Sequence, residues 1–159
     1  MRALTVGPED PRSPDIVALL RAHLTFCHET SPPEDIHAFD LDALTGDAVT
    51  FVAAREDGVL LGVGAVVRLH PDHYEIKSMH TAREARGRGV ARHVLARLLE
   101  VVLAEGAGRV SLETGSMEAF APARALYRAA GFVDCPPFGT YRESPSSAFL
   151  TLDLARARV

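Results

Sequence analysis

Apolar positions recur along this chain with two periods, and the changes of period mark its elements. Residues 2–6 read as a short strand. Ser13-Pro14-Asp15 then opens a helix, with a hydroxyl N-cap, proline at the first helical position and an acid in the first turn. Ile16, Leu19, Leu20, Leu24 and Cys27 follow at helical spacing, and Ser31-Pro32-Pro33 stops the run. Residues 34–46 read as a short second helix ending at glycine. Two runs rich in β-branched and apolar residues, 48–55 and 59–68, join through Asp57-Gly58 as a hairpin. The second of them is apolar on both faces, as a central strand should be. Residues 73–81 give a fourth strand, and Val90, Val94, Leu98 and Val101 mark a long amphipathic helix ending near Gly106 and Gly108. A fifth strand at 109–114 leads to a helix at about 119–130 closed by Gly131, then to strands at about 132–138 and 148–154.

The predicted order is β-α-α-β-β-β-α-β-α-β-β, with hairpins and helical crossovers mixed. It describes one α/β (α+β) domain over residues 1–159: a mixed, mostly antiparallel seven-stranded sheet with helices on both faces. A length of 159 residues, 47% apolar and 24% charged, suits one soluble domain with a core of its own. No apolar run is long enough to span a membrane, and the first residues lack a signal-peptide pattern, so a cytoplasmic protein with no membrane partner is expected. A net charge of −4 argues against a nucleic-acid partner. Two cysteines make no disulfide framework. Of 17 basic residues only Lys77 is a lysine, so arginine carries nearly every anion contact.

Candidate chemistry begins at Arg86-Gly87-Arg88-Gly89-Val90-Ala91, between a strand and a long helix. A helix N-terminus offers unpaired N–H groups and partial positive charge, glycines let the backbone approach an anion, and arginines add charge-assisted bonds. The plain alternative is a tight turn that binds nothing. A Walker loop would need Lys followed by Ser or Thr here, and the dinucleotide fingerprint would need Gly-x-Gly-x-x-Gly; neither is present.

Arg86-x-x-Gly89-x-Ala91 resembles motif A of the GCN5-related N-acetyltransferases, and Ala123-x-x-Leu126-Tyr127-x-x-x-Gly131-Phe132 is similar to their motif B. The element order is also that family's, so the resemblance covers essentially the whole chain. Ser31-Pro32-Pro33-Glu34, Glu75-Ile76-Lys77-Ser78-Met79, Leu112-Glu113-Thr114-Gly115-Ser116-Met117 and Pro137-Phe138…Tyr141 further resemble the bacterial YsnE-type branch.

The resemblance implies an enzyme that moves acetyl from acetyl-coenzyme A to a primary amine of a small molecule or peptide, by direct attack in a ternary complex. Coenzyme A would lie in a V-shaped gap between residues 78–81 and 111–114. Arg86, Gly87, Arg88, Gly89, Val90 and Ala91 would hold its pyrophosphate, and backbone around Met79, His80 and Thr81 its pantetheine arm. An N–H there would act as an oxyanion-type donor. Tyr127 matches the tyrosine that protonates the departing thiolate, although a packing tyrosine on an amphipathic helix reads the same. Glu75 and Glu113 are candidate bases, with His80 and relayed water as alternatives. Glu75 and Lys77 share a strand face and could simply bear on each other.

Ser31, Glu34, Phe138, Tyr141 and Arg142 are expected at the acceptor site, where Arg142 suits a substrate carboxylate. Residues 139–147 also read as a plain flexible hairpin loop. Many members of the family carry asparagine seven residues before the motif B tyrosine; here Phe120 stands there and cannot make its hydrogen bonds. That departure keeps open a catalytically inactive coenzyme-A-binding sensor or interaction module. His70-x-x-His73 has no third ligand placed by spacing, and in His23-x-x-x-Cys27-His28 the helix face shared by His23 and Cys27 is also the one expected to be buried, so no metal is expected. The resemblance allows a homodimer, but no exposed apolar stripe demands one.

Overall fold

The computed structural model describes residues 3–30 and 41–157. Their strands form one seven-stranded sheet in the order β1-β2-β3-β4-β5-β7-β6. These strands are β1 (Leu4–Pro8), β2 (Val49–Glu56), β3 (Val59–His70), β4 (His73–Thr81), β5 (Arg109–Gly115), β6 (Val133–Asp134) and β7 (Ser147–Asp153). Every strand pair is antiparallel except β4 with β5. The helices are α1 (Pro14–Thr30), α2 (Val90–Ala104), α3 (Ala121–Ala129) and a final turn α4 (Leu154–Ala157). None of the described helices is long and apolar enough to cross a membrane.

Strand alternation divides the core into two layers. Val63 and Ala65 of β3 pack with Ile16 and Leu20 of α1. Val66 joins Val90, Val94, Leu95, Leu98 and Val102 of α2 on the other face, as does Leu61, the extra residue of a bulge opposite Ala54 and Arg55. The α2 layer also takes in Val110, Leu112, Tyr127, Phe132 and Leu150, so it reaches under α3. Close approach seats α2 on β3: a Cβ on Gly64 would sit 2.7 Å from Val94 Cγ1 and from Met79 Sδ. On the α1 side, Arg55 of β2 bonds Glu9 at 2.8 Å and Asp15 at 2.7 Å, tying the helix start to the sheet.

Three expectations need correction. Most of the predicted helix at 34–46 lies outside the described residues, and the part described is a single 3-10 turn, Asp42–Leu44. The sixth strand is Val133–Asp134 rather than 132–138, because Pro136 and Pro137 have no N–H for a ladder. The helix at 119–130 divides into a 3-10 turn, Glu118–Phe120, and α3, whose first turn holds Pro122.

Candidate active site

The site follows from how β4 leaves β5. The two are paired from His73↔Arg109 to Ile76↔Leu112 and no further, although both strands continue. Just past the break, β4 bulges. Ala65 faces Lys77 while Val63 faces His80, so Ser78 and Met79 together oppose Gly64. Ser78 takes a positive φ of 58° to make that turn. The bulge swings the strand away from its neighbour and opens a wedge with an unpaired backbone edge. The wedge therefore starts at Lys77 and Glu113; Ser111 and Leu112, placed in the gap by the sequence, still belong to the ladder.

A cavity of about 890 Å³ fills the wedge and runs to the start of α2. There Gly89 caps the helix at φ 80°, a conformation that favours glycine. Gly87 sits at φ 78° two residues earlier. Arg86, Gly87, Gly89, Val90, Ala91 and Arg92 line this end. The first-turn N–H groups of α2 have no partner within the helix, and the helix dipole adds positive charge. These features fit a bound pyrophosphate. Arg88 departs from expectation: it does not line the cavity, and its guanidinium pairs with Glu56 at 2.5 Å.

The middle of the cavity is walled by Met79, His80 and Thr81 of β4 and by Ala123, Leu126 and Tyr127 of α3. Tyr127 is only 5% exposed and packs edge-on against Phe132, with ring centroids 5.8 Å apart. Burial pushes its phenol well above the usual range, so it stays protonated. Phe120 turns out to be a wall of this chamber. Its ring meets Phe26 of α1 edge-on at 5.2 Å and lies over Gly115. Arg124 fastens the same corner through the carbonyls of Gly115 (2.7 Å) and Met117 (2.8 Å). A Cβ on Gly115 would fall within 2.6 Å of Phe120 Cγ and Cε2. Gly115→Ala is therefore expected to cost about 1–3 kcal/mol, read as a lower urea midpoint that Phe120→Leu partly restores. An unchanged midpoint would show that the ring swings aside freely.

The far end lies on the α1 face. Glu75 is 4% exposed and accepts a 2.5 Å hydrogen bond at Oε2 from the Tyr141 hydroxyl. Burial raises its carboxyl above the ordinary value, against the opposing pull of that bond and of Lys77. Glu113, two positions beyond the Glu75↔Ser111 pairing, lines the same chamber and accepts from Ser147 Oγ at 3.3 Å. Tyr141 lines it too. Phe138 and Arg142 do not: Phe138 meets Tyr141 and Phe149 edge-on, and Arg142 is exposed. Ser31 and Glu34 lie outside the described residues.

A contact unforeseen from the sequence joins α1 to β4. His23 Nδ1 and His80 Nδ1 are 3.0 Å apart, one donating and one accepting, and Cys27 Sγ lies 3.9 Å from His23 Nε2. Burial pushes His23 down to about 4, and burial together with His23 and Arg86 pushes His80 down to about 3. Both rings are neutral at neutral pH, and His80 binds a proton too weakly to serve as the base. Burial and Glu113 raise the Cys27 thiol, so it is a poor nucleophile. Among the described residues no group of three or more His, Cys, Asp or Glu is placed to hold a metal ion.

The profile of the acetyltransferase (GNAT) family matches residues 14–132. The uncharacterized N-acetyltransferase YsnE of Bacillus subtilis (strain 168) is 44% identical, over 92% of this chain and 97% of that protein. The uncharacterized N-acetyltransferase YedL of Escherichia coli (strain K12) is 40% identical, over 94% of each. Among solved structures, a GNAT family acetyltransferase from Elizabethkingia anophelis with acetyl-CoA bound superposes with a TM-score of 0.70. It covers 95% of this chain and 98% of its own, at 16% identity, which makes it a likeness of fold.

Proposed function

Because this chain belongs to the acetyltransferase (GNAT) family, we propose that it moves acetyl from acetyl-coenzyme A to a primary amine of a small molecule or peptide. The amine attacks directly within a ternary complex. The observation that carries this reading is one continuous cavity: it joins an anion-binding helix start at Gly89 to a buried carboxylate at Glu75, past Tyr127.

Bound in the wedge, acetyl-coenzyme A supplies an activated thioester. Backbone N–H groups at the α2 start and the Arg86 side chain hold its pyrophosphate. The free β4 edge beyond Ile76 offers backbone groups to the pantetheine arm, and an N–H near Met79 meets the oxygen where negative charge develops. Glu75 takes the proton of the acceptor ammonium, its raised carboxyl lying nearer the working pH than an exposed one would. Glu113 adds a second negative charge beside the acceptor. Tyr127 donates its phenolic proton toward the departing sulfur. Among the described residues, the acceptor end has two carboxylates, Glu75 and Glu113, against one lysine, with His23 and His80 neutral, and this favours a cationic amine.

The test is calorimetric titration with acetyl-coenzyme A and with free coenzyme A, followed by a thiol-release screen over an amine panel. Micromolar binding and amine-dependent release are expected. Absence of binding at millimolar cofactor would end the reading. Phe120, at the position of the family's usual asparagine, favours an inactive coenzyme-A-binding module as the second reading; binding without turnover on any amine would support it.

A further inference from the structure

The segment between β6 and β7, residues 135–146, closes the acceptor end of the sheet. It is pinned by a cluster of rings. Phe138 and Tyr141 lie 5.2 Å apart, and both reach Phe149 of β7, at 6.1 and 5.6 Å. Phe138 also packs on His73 of β4 at 5.6 Å. Tyr141 N donates to Phe138 O at 3.1 Å, tightening the turn between them. This anchoring delivers the Tyr141 hydroxyl to Glu75.

Resting on Glu75 as the base, we propose that Tyr141 is its positioning residue: the phenol holds Oε2 and leaves Oε1 to take the proton of the acceptor ammonium. The balance is simple. An N–H bond of R–NH₃⁺ breaks, an O–H bond forms on Glu75, and the neutral amine keeps the electron pair; Tyr141 retains its own proton throughout. Two physical effects favour the arrangement. The rings fix the phenol, so the carboxylate is oriented before the amine arrives. A hydrogen bond to the charged form also offsets part of the burial that would otherwise leave Glu75 protonated.

Among the described residues, the other groups around Glu75 do not replace that bond. Lys77, on the same strand, acts on Glu75 through its charge and not through a hydrogen bond. His73, two residues before, is engaged with Ser111 Oγ at 2.8 Å. His23 and His80 are paired with each other and neutral, the Cys27 thiol is un-ionised, and Glu113 carries like charge.

The experiment uses the full chain with Tyr141→Phe, which keeps the ring and removes only the hydroxyl, and with Glu75→Gln. Glutamate side-chain ¹³C resonances are titrated by NMR without any ligand, the Glu75 signal being the one lost in Glu75→Gln. Its midpoint is expected to rise by about one pH unit in Tyr141→Phe. In parallel, kcat/KM is followed against pH with spermidine, tyramine and a lysyl peptide as acceptors. The acid limb is expected to move upward by the same amount, with little change at pH 9. An unmoved midpoint overturns the proposal. A moved midpoint with an unmoved acid limb also overturns it, since the bond would then have no part in the reaction. Full turnover by Glu75→Gln is a different failure: it removes Glu75 as the base and leaves the bond a packing feature.

Discussion

Gly89→Glu is expected to abolish acetyl-coenzyme A binding, raising the calorimetric dissociation constant at least ~100-fold, or about 2.7 kcal/mol. Two effects act together. Gly89 lies at φ 80°, where any side chain costs roughly 1–2 kcal/mol. The larger effect is electrostatic. A carboxylate at the cap sits where the N–H groups of α2 would meet pyrophosphate oxygens, and it occupies those donors itself. Arg92 would hold it there, since its Nη2 lies 3.1 Å from the position a Cβ would take. Because an acid at a helix N-terminus stabilises the helix, the fold is expected to survive, and loss of binding will not simply report unfolding. Gly89→Ala separates the terms: it carries the strain without the charge and should weaken binding far less. A normal dissociation constant in Gly89→Glu would remove the loop from cofactor binding.

Much of this was legible in the sequence, because the signals were local. Val90, Val94 and Leu98 mark the buried stripe of α2, and Ser13-Pro14-Asp15 does open α1. Glycines beside arginines pointed to the start of α2, and Arg86, Gly87 and Gly89 do line that end of the cavity. What was not legible depends on contacts distant in the chain. Nothing in Glu75-Ile76-Lys77-Ser78 announces that Ser78 adopts a positive φ and ends pairing with β5 at Ile76; that depends on Gly64 opposite and on the α2 side chains behind it. Arg88 looked like its neighbour Arg86, but Glu56, 32 residues away, claims its guanidinium. Phe120 read as a lost hydrogen bond. Its role as a wall appears only beside Gly115 and Phe26, where a residue without Cβ makes room for the ring. The His23–His80 contact spans 57 residues, and no spacing rule reaches that far.

The second large effect concerns Tyr127. Tyr127→Phe is expected to lower kcat at least tenfold, about 1.4 kcal/mol of transition-state stabilisation, and to leave cofactor affinity nearly unchanged. The residue faces two demands that the substitution separates. Its ring packs against Phe132 and is 5% exposed, and phenylalanine preserves that packing. Its hydroxyl sits on a residue that lines the cavity, and burial keeps it protonated at any working pH, so it can supply a proton where thiolate charge appears. A purely structural tyrosine would register the change in its thermal midpoint or in coenzyme A binding, both expected to stay put. Single-turnover thiol release should slow as much as steady-state turnover, since protonation of the leaving sulfur belongs to the chemical step. Equal rates for variant and wild type would leave Tyr127 a packing residue and require another proton source for the departing thiolate.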